Sequence, residues 1–595
     1  MKPKKANTNL FRAVGRSVPL VVKASPLFCA MYVGAALMMA VAFGIAAPVS
    51  QILYDALADL LDDGAMRYVY IGIAFMLGVA LFQQLANEVL NFVWNATYEK
   101  LNGAMAKDIH AKMARIPAAF FEDKENLDNI EKVNEGKQGA IQMYIGLNYI
   151  LFNIVGYLVI MGIYLWSLRP LLIVSMVLAF VPELFSQIVQ AKIMAKLEDT
   201  QAPNRRKNSH YEECITGGDK LKETRLFGAF YFFKSLFMDS LKLLTTNELK
   251  TQRKMETINL GMNLVKAAGW TGTTVLLLLS LMNGHIGVGA FAAVFTSVGM
   301  MFGMMTNAMW QFKQNVSENL GKINNLINIL DVPTPELAKN IPDFSHPLVV
   351  DNVSFYYPQA EKPAVHGVSL TIRPGETIAL VGENGSGKTT LSMMLCGLFK
   401  PTTGTVTIGG CNTATTDEEC LFSKTSAIFQ WTQSYAFDLS GNITISDVTS
   451  EKDPRDVIPH AGIDPTDQST YPKGMETMLL REFEGVQLSG GQWQRIGVAR
   501  GLYRHHEFII MDEPTSAIDP LEEARMYKRF TDLARGKMAV LVTHRLGSVK
   551  IADKIIVMDG GTIVETGTHD DLLAANGKYA EMWAAQAEGY QEETA

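Results

Sequence analysis

Charge is scarce in this sequence. Asp, Glu, Lys and Arg make up 19% of its 595 residues, against roughly 25% in an ordinary globular chain. A polypeptide of this length exceeds one domain, and with a mean hydropathy of +0.10 the shortage points to a membrane-embedded part joined to a soluble part. Basic residues are not in excess: the net charge is −7, which gives no sign of a nucleic-acid partner. Cysteine is sparse. Cys29, Cys214, Cys396, Cys411 and Cys420 are scattered without C-x-x-C spacing, which leaves no zinc-type pair and no disulfide framework, so reduced thiols are expected. Internal repeats and low-complexity tracts are missing too. The opening segment, MKPKKANTNLFRAVGRSV, lacks acids. A cleaved signal would need a short apolar core and a small-residue cleavage site. The first apolar run here is long enough to span, so the segment reads as a basic cytoplasmic flank, with an organelle transit peptide as the alternative.

Long apolar runs are abundant. Residues 26–49 carry no charge and suffice to cross a hydrocarbon core of roughly 30 Å. Further apolar segments at 69–94, 141–168, 171–189, 260–282 and 288–309 bring the expected spans to six. The short connections hold Asp55, Asp59, Asp62 and Asp63, a Ser167-Leu168-Arg169-Pro170 turn, and Asn283-Gly284-His285. The long connections, 95–139 and 191–256, are rich in Lys and Arg. By the positive-inside rule the long ones are cytoplasmic. The even span number then places both termini inside, in a multi-pass protein of the plasma or inner membrane. The long connections read as spans two to five continuing as polar helices. Phe120-Phe121-Glu122-Asp123-Lys124 and Leu226-Phe227-Gly228 interrupt them, and a short helix there is expected to touch the soluble domain. Proline in Asp331-Val332-Pro333-Thr334-Pro335 disfavours further helix. The expected division is therefore a helical membrane domain over 1–329, a linker over 330–347 and an α/β domain over 348–595. Few residues precede the first span, so an additional N-terminal enzymatic domain is not expected.

The soluble part is organised around TIALVGENGSGKTTL. An apolar run, Ile378 to Val381, should be a buried parallel strand. It stops at Gly382, and Gly382-Glu383-Asn384-Gly385-Ser386-Gly387-Lys388-Thr389 fits G-x-x-x-x-G-K-[ST]. The glycines let consecutive backbone N–H groups face phosphate oxygens, Lys388 supplies a positive charge for the outer phosphates, and Thr389 offers a hydroxyl to Mg²⁺. A helix opening there, through Thr390, adds its positive dipole end. Downstream, Leu488-Ser489-Gly490-Gly491-Gln492 makes a second phosphate-accepting helix start. Phe508 to Asp512 is a buried strand ending in a carboxylate suited to Mg²⁺. Glu513 follows, placed to polarise a water for attack on a γ-phosphate. His544, after the next strand, is set to bond that phosphate, and the Tyr357 ring to stack on adenine. Each element alone has a bland reading as helix cap, solvated acid pair, surface histidine or core aromatic. Their order and spacing together favour the phosphate chemistry.

This set resembles the ATP-binding cassette (ABC) ATPases, and with six N-terminal spans the chain is similar to a half-size exporter-fold transporter: a six-helix membrane domain with long cytoplasmic extensions fused to an α/β P-loop ATPase. The resemblance implies ATP and Mg²⁺ as cofactors. It makes Gln430 the glutamine that senses Mg²⁺ and couples to the membrane domain, Ser489 to Gln492 the signature motif, Asp512 the Walker B aspartate, Glu513 the catalytic glutamate, Ser516 to Asp519 the D-loop and His544 the switch histidine. It also implies that two such ATPase domains sandwich two ATPs, so this chain pairs with a second copy, a heterodimer being the alternative. Arg481 to Arg495, with Trp493 after the signature, Lys222 to Gly228, and Phe121-Glu122-Asp123 resemble the peptide and lantibiotic exporters. A single Gly485 stands where related sequences often carry two. The leader-cleaving protease of some peptide exporters has no counterpart here, so leader processing is not expected.

Cargo is less legible. Gln83, Gln84, Glu88, Asn91, Glu183 and Lys266 lie on or beside spans, where polar groups are costly. They either line a polar cavity or sit beyond the lipid, and Pro182 is expected to kink span four. Met300, Met301, Met304, Met305 and Met309 on span six would suit amphipathic cargo, or serve only packing. The expected function is ATP-driven export of a peptide, lipid or amphipathic drug. The alternatives are an importer on the same fold, for instance for a metal chelate, and a regulatory ATPase that moves nothing.

Overall fold

The computed structural model describes residues 10–60, 66–334, 337–430, 432–513, 530 and 534–592. The chain divides into two compact units. One comprises 1–112 and 129–331, the other 113–128 and 332–595.

The first unit is all helix. Apolar sequence builds Pro26–Gly44 and Ala46–Leu60, Met66–Met113, Val155–Leu168, Pro170–Thr216, Phe230–Met282 and Val288–Gln311. Pro26 and Pro170 open their helices, where a missing N–H costs nothing. All six expected spans fall on helices. Among the described residues, five helices are long and apolar enough to cross a membrane, and the fourth predicted span is apolar over a shorter stretch, Pro170–Pro182. Secondary structure continues unbroken past Pro182 to Thr216. On Met66–Met113 the outward-facing Leu77, Leu81 and Leu85 are 61%, 71% and 59% exposed, as suits a surface turned to lipid rather than water. The interior packs Tyr157, Met161, Leu165 and Met176 against Val294, Val298, Met301 and Phe302. Met301 is therefore core, whereas Met300 is exposed.

Polar contacts fix the helix register. Tyr164 donates to Gln51 (2.7 Å) and Arg169 to Ser280 (2.6 Å). Ser186 donates to Asn259 at 2.9 Å. Asp55 Oδ1 accepts the backbone N–H of Gly289 at 3.1 Å, and any Cβ on Gly289 would run into that carboxylate.

The second unit is built on two sheets. The smaller is antiparallel, in the order β2 (Val365–Ile372), β1 (Leu348–Phe355), β4 (Thr403–Ile408), β5 (Cys411–Asn412). The larger runs β10 (Thr562–Gly567), β9 (Lys554–Asp559), β3 (Thr377–Gly382), β8 (Met538–Val542), β7 (Phe508–Asp512), β6 (Thr425–Ile428). Its pairs are parallel except β9 with the edge strand β10. Strands buried on both faces read as continuous apolar runs, and β3, β7 and β8 do so: FIIMD and MAVLV are wholly buried. In register, Leu380 pairs with Val542 and Val542 with Asp512. The carboxyl ends of β3, β8 and β7 therefore lie side by side, the edge of an open α/β sheet where ligands bind.

Met113–Asp128 belongs to this unit. Its 3₁₀ turn, Ala118–Glu122, sets Ala118 and Ala119 against the sheet core, and Gln359 donates to Asp123 at 3.2 Å. The first aromatic interruption of the polar helices thus touches the sheet domain, as the sequence suggests.

One buried histidine sets an acid limit on this unit. His506 is 6% exposed. Its Nδ1–H donates to the Arg504 carbonyl (2.7 Å), and its Nε2 accepts from the Lys537 ammonium (3.1 Å). Burial, with Lys537, His505 and Lys452 adding repulsion, pushes its pKa from 6.5 down to about 4. A depressed histidine contributes stability that is complete above pH 6.5 and is lost as pH falls through 4, on the order of 3 kcal/mol at about 1.4 kcal/mol per pH unit. Melting of this unit in the intact protein should fall steeply over that window, and His506→Gln should flatten the fall. An unchanged slope in the variant would show that His506 does not carry it.

Candidate functional site

A cavity of about 570 Å³ opens at the carboxyl edge of the larger sheet, lined by Tyr357, Ala364, Asn384, Gly385, Gly387, Lys388, Thr389, Thr390, Gln430, Glu513 and His544. Its size suits a small-molecule ligand. The phosphate loop follows β3 and feeds the helix Lys388–Leu395. Gly385 and Gly387 have φ of 83° and 98°, a region open mainly to glycine. Lys388 is buried, its ammonium 3.0 and 2.9 Å from the carbonyls of Gly382 and Glu383. Burial lowers its pKa, and Glu513 and Asp512 hold it up.

Asp512 ends β7 with its carboxylate buried. Ser392 donates to Oδ2 at 3.2 Å, while Oδ1 is buried with no partner. Desolvation raises its pKa to about 6, Glu513 adds to the rise, and the hydroxyls of Ser392 and Thr389 with Lys388 oppose it. The Oγ of Ser386, in the loop opposite, is likewise buried and unpaired. Buried polar atoms of native proteins rarely lack partners. An unpaired carboxylate oxygen beside Thr389 is a hard oxygen donor set of the kind Mg²⁺ takes, so the residues fit the metal.

Glu513 has φ of 44°, strained for a side chain of its kind and common at functional sites. Its N–H donates to Val542 at 3.0 Å, which holds the strained residue at the strand ends. Gln430, two residues past β6, donates to Glu513 Oε2 at 3.4 Å. His544 Nδ1 lies 3.2 Å from Glu513 Oε1 but off hydrogen-bond geometry. Glutamine, glutamate and histidine thus converge opposite Lys388. Tyr357 lines the cavity as well, with its hydroxyl 3.1 Å from Thr390 Oγ1 and its ring edge-on to Phe355 and Phe399.

The cavity does not include Ser489, Gly490, Gly491 or Gln492. Ser489 caps the helix Gly490–Tyr503, and Gln492 returns a bond to the Ser489 N–H at 2.7 Å. Ser489 to Gln492 thus form a capped helix start that does not line the cavity. Ser516 to Asp519, the expected D-loop, lie outside the described residues. Ser392 was not evident in the sequence. Its signal is its position one turn past Thr389 on the loop helix, which aims both hydroxyls at Asp512.

Residues 365–516 match the ABC transporter family and residues 33–305 the ABC transporter transmembrane region. The chain is 28% identical to the subtilin transport ATP-binding protein SpaT of Bacillus subtilis, over 85% of this chain and 83% of that protein. It is 35% identical to the mycobactin import ATP-binding/permease protein IrtB of Mycolicibacterium thermoresistibile, over 44% of this chain and 45% of that one. A solved structure of a bacterial Atm1-family ABC exporter with ATP bound superposes with a TM-score of 0.75 at 21% identity, covering 98% of this chain and 99% of that one. The exporter fold, a transmembrane region and an ATP-hydrolysing domain thus meet in one polypeptide, and the chain belongs to the ABC transporters.

Proposed function

We propose that this protein is an exporter half that hydrolyses ATP as a translocase, works as a homodimer in the plasma membrane with both termini cytoplasmic, and moves a peptide, with a lipid or amphipathic drug as the other cargo classes. Its domains are 1–329, of which 113–128 pack with the second unit, the linker 330–347 and 348–595. The observation that carries the reading is the cavity where Lys388, Glu513, Gln430 and His544 converge beside the unpaired Asp512 Oδ1. Among its described residues the same chain holds five helices long and apolar enough for a membrane.

Bound Mg²⁺ would act as a Lewis acid on the outer phosphates, held by Thr389 and Asp512 with Gln430 at its edge. Backbone N–H groups of Gly385 to Thr390 and the Lys388 ammonium bind and orient the phosphates. Glu513 accepts a proton from the attacking water and is steered by Gln430. His544 hydrogen-bonds the γ-phosphate, and Tyr357 meets the base. Ser489 to Gln492, away from their own chain's cavity, complete the partner's site, which supports a dimer with two working sites. Gln83, Gln84, Glu88, Asn91, Lys266 and the exposed Met300 are the candidate cargo contacts; the Glu183 side chain lies outside the described residues.

Likeness to the subtilin transport protein spans most of both chains, which favours peptide. The likeness to the mycobactin importer covers less than half of each. The test is ATPase activity of the purified chain in lipid against peptides, lipids and drugs. The expected outcome is activity from the lone chain, raised at least about twofold by peptide. Activity that appears only with a second, different subunit would overturn the homodimer, and stimulation by no cargo would favour the regulatory ATPase.

A further inference from the structure

The C-terminal helix Lys578–Glu592 touches both ends of the site. Its start is anchored by Glu565 of β10, whose carboxylate accepts the N–H groups of Lys578 and Tyr579, the latter at 3.1 Å. Tyr579 is wholly buried against Ala379 and Val381 of β3 and Ile555 and Val557 of β9, and its hydroxyl meets His569 Nδ1 at 2.7 Å. Trp583, one turn on, stacks with Tyr579 and carries the Lys550 ammonium 5.0 Å from its ring. Two contacts then leave this anchor in different directions. Lys578 Nζ pairs with Glu383 of the phosphate loop at 3.0 Å and with Asp559 at 3.4 Å. About 12 Å further along the helix at 1.5 Å per residue, Gln586 Nε2 donates to the backbone carbonyl of His544.

The segment after β8 is held at its far end by Val549, wholly buried with Ala379 and Val381, and Gln586 ties its near end from outside. His544 lies in irregular backbone between β8 and the 3₁₀ turn Leu546–Ile551. The Arg545 N–H donates to Thr543 Oγ1 at 2.9 Å, and the His544 side chain is 45% exposed. A phosphate-sensing imidazole must be held to a fraction of an ångström. We propose that this helix is a strap that keeps the His544 segment in register with the phosphate loop, and that Gln586 is the positioning residue through which it acts. This rests on the reading of His544 as the γ-phosphate contact. Gln586 acts on turnover through the peptide group of His544.

The test compares Gln586→Glu, which replaces the donor by an oxygen facing a carbonyl, with Gln586→Lys, which keeps an N–H donor at similar reach, in the full-length protein in lipid. One hydrogen bond of ordinary strength corresponds to a roughly three- to tenfold effect. Gln586→Glu is expected to lower kcat for ATP by that factor with KM within about twofold, and Gln586→Lys to restore kcat to within about twofold of wild type. Hydrogen–deuterium exchange, independent of activity, should quicken over residues 543–551 in Gln586→Glu alone and stay unchanged over 377–382 and 538–542, which rules out general unfolding. Wild-type kcat and exchange in Gln586→Glu would overturn the proposal, as would a Gln586→Lys protein as impaired as Gln586→Glu. His544→Ala separates the two layers. If it turns over like wild type while exchange over 543–551 still responds to Gln586→Glu, the reading of His544 fails and the strap stands only as a structural tie.

Discussion

Replacing Glu513 by glutamine lowers ATP turnover at least a hundredfold and leaves nucleotide binding within a few-fold of wild type. The substitution keeps the shape and the side-chain oxygen that faces Gln430, now at 3.4 Å, but removes the proton acceptor. A positioned general base contributes on the order of 10²–10⁴ to rate. The strained backbone, φ of 44°, is equally costly for either residue, so folding does not confound the result. Phosphate release and equilibrium binding of labelled ATP, measured on the same preparation, separate the two effects. Turnover within about fivefold of wild type would show that Glu513 is not the base.

The second large effect is expected at Gly387. Its φ is 98°, and a Cβ there would lie 2.5 Å from the carbonyl oxygen of Ala364. The left-handed region costs an L-residue roughly 1–2 kcal/mol, and Ala364, leading directly into β2, cannot yield without moving the strand. Gly387→Ala should therefore displace the N–H groups at the start of the helix Lys388–Leu395 and weaken ATP binding at least tenfold, about 1.4 kcal/mol. Peptide binding to the membrane helices should be unaffected. Retained ATP affinity, read by isothermal titration, would mean that the phosphates do not rest on this backbone.

What the sequence made legible follows from how locally each feature is encoded. The strand–loop–helix of Ile378 to Thr390, the FIIMD strand and its acid pair, and the Ser489 helix start are short fixed spacings in which each residue's role is set by its neighbours. Apolar run length likewise located the helices of the first unit. Features set by tertiary contact were hidden. Ser392 on Asp512, Lys578 on Glu383 and Gln586 on the His544 carbonyl join residues 120, 195 and 42 positions apart, and no local pattern announces them. The positive φ of Glu513 has no signature either, because it is imposed by β7 and β8 and not by residue type. Residues 113–128 pack with the sheet domain although they interrupt the helical sequence, since the partner of Ala118 and Ala119 is a distant core. The helix of Pro182 runs on to Thr216, the flanking turns outweighing the N–H groups missing at Pro182 and Pro203.

The central claim is that hydrolysis at Glu513 drives a peptide across a membrane. Its most direct test is uptake of a labelled cationic lantibiotic-type peptide into inside-out vesicles carrying the purified chain, with and without ATP. The account predicts ATP-dependent accumulation by wild-type protein, lost in Glu513→Gln, with no uptake into right-side-out vesicles. Uptake into right-side-out vesicles instead, or ATP hydrolysis with no flux in either orientation, would contradict it.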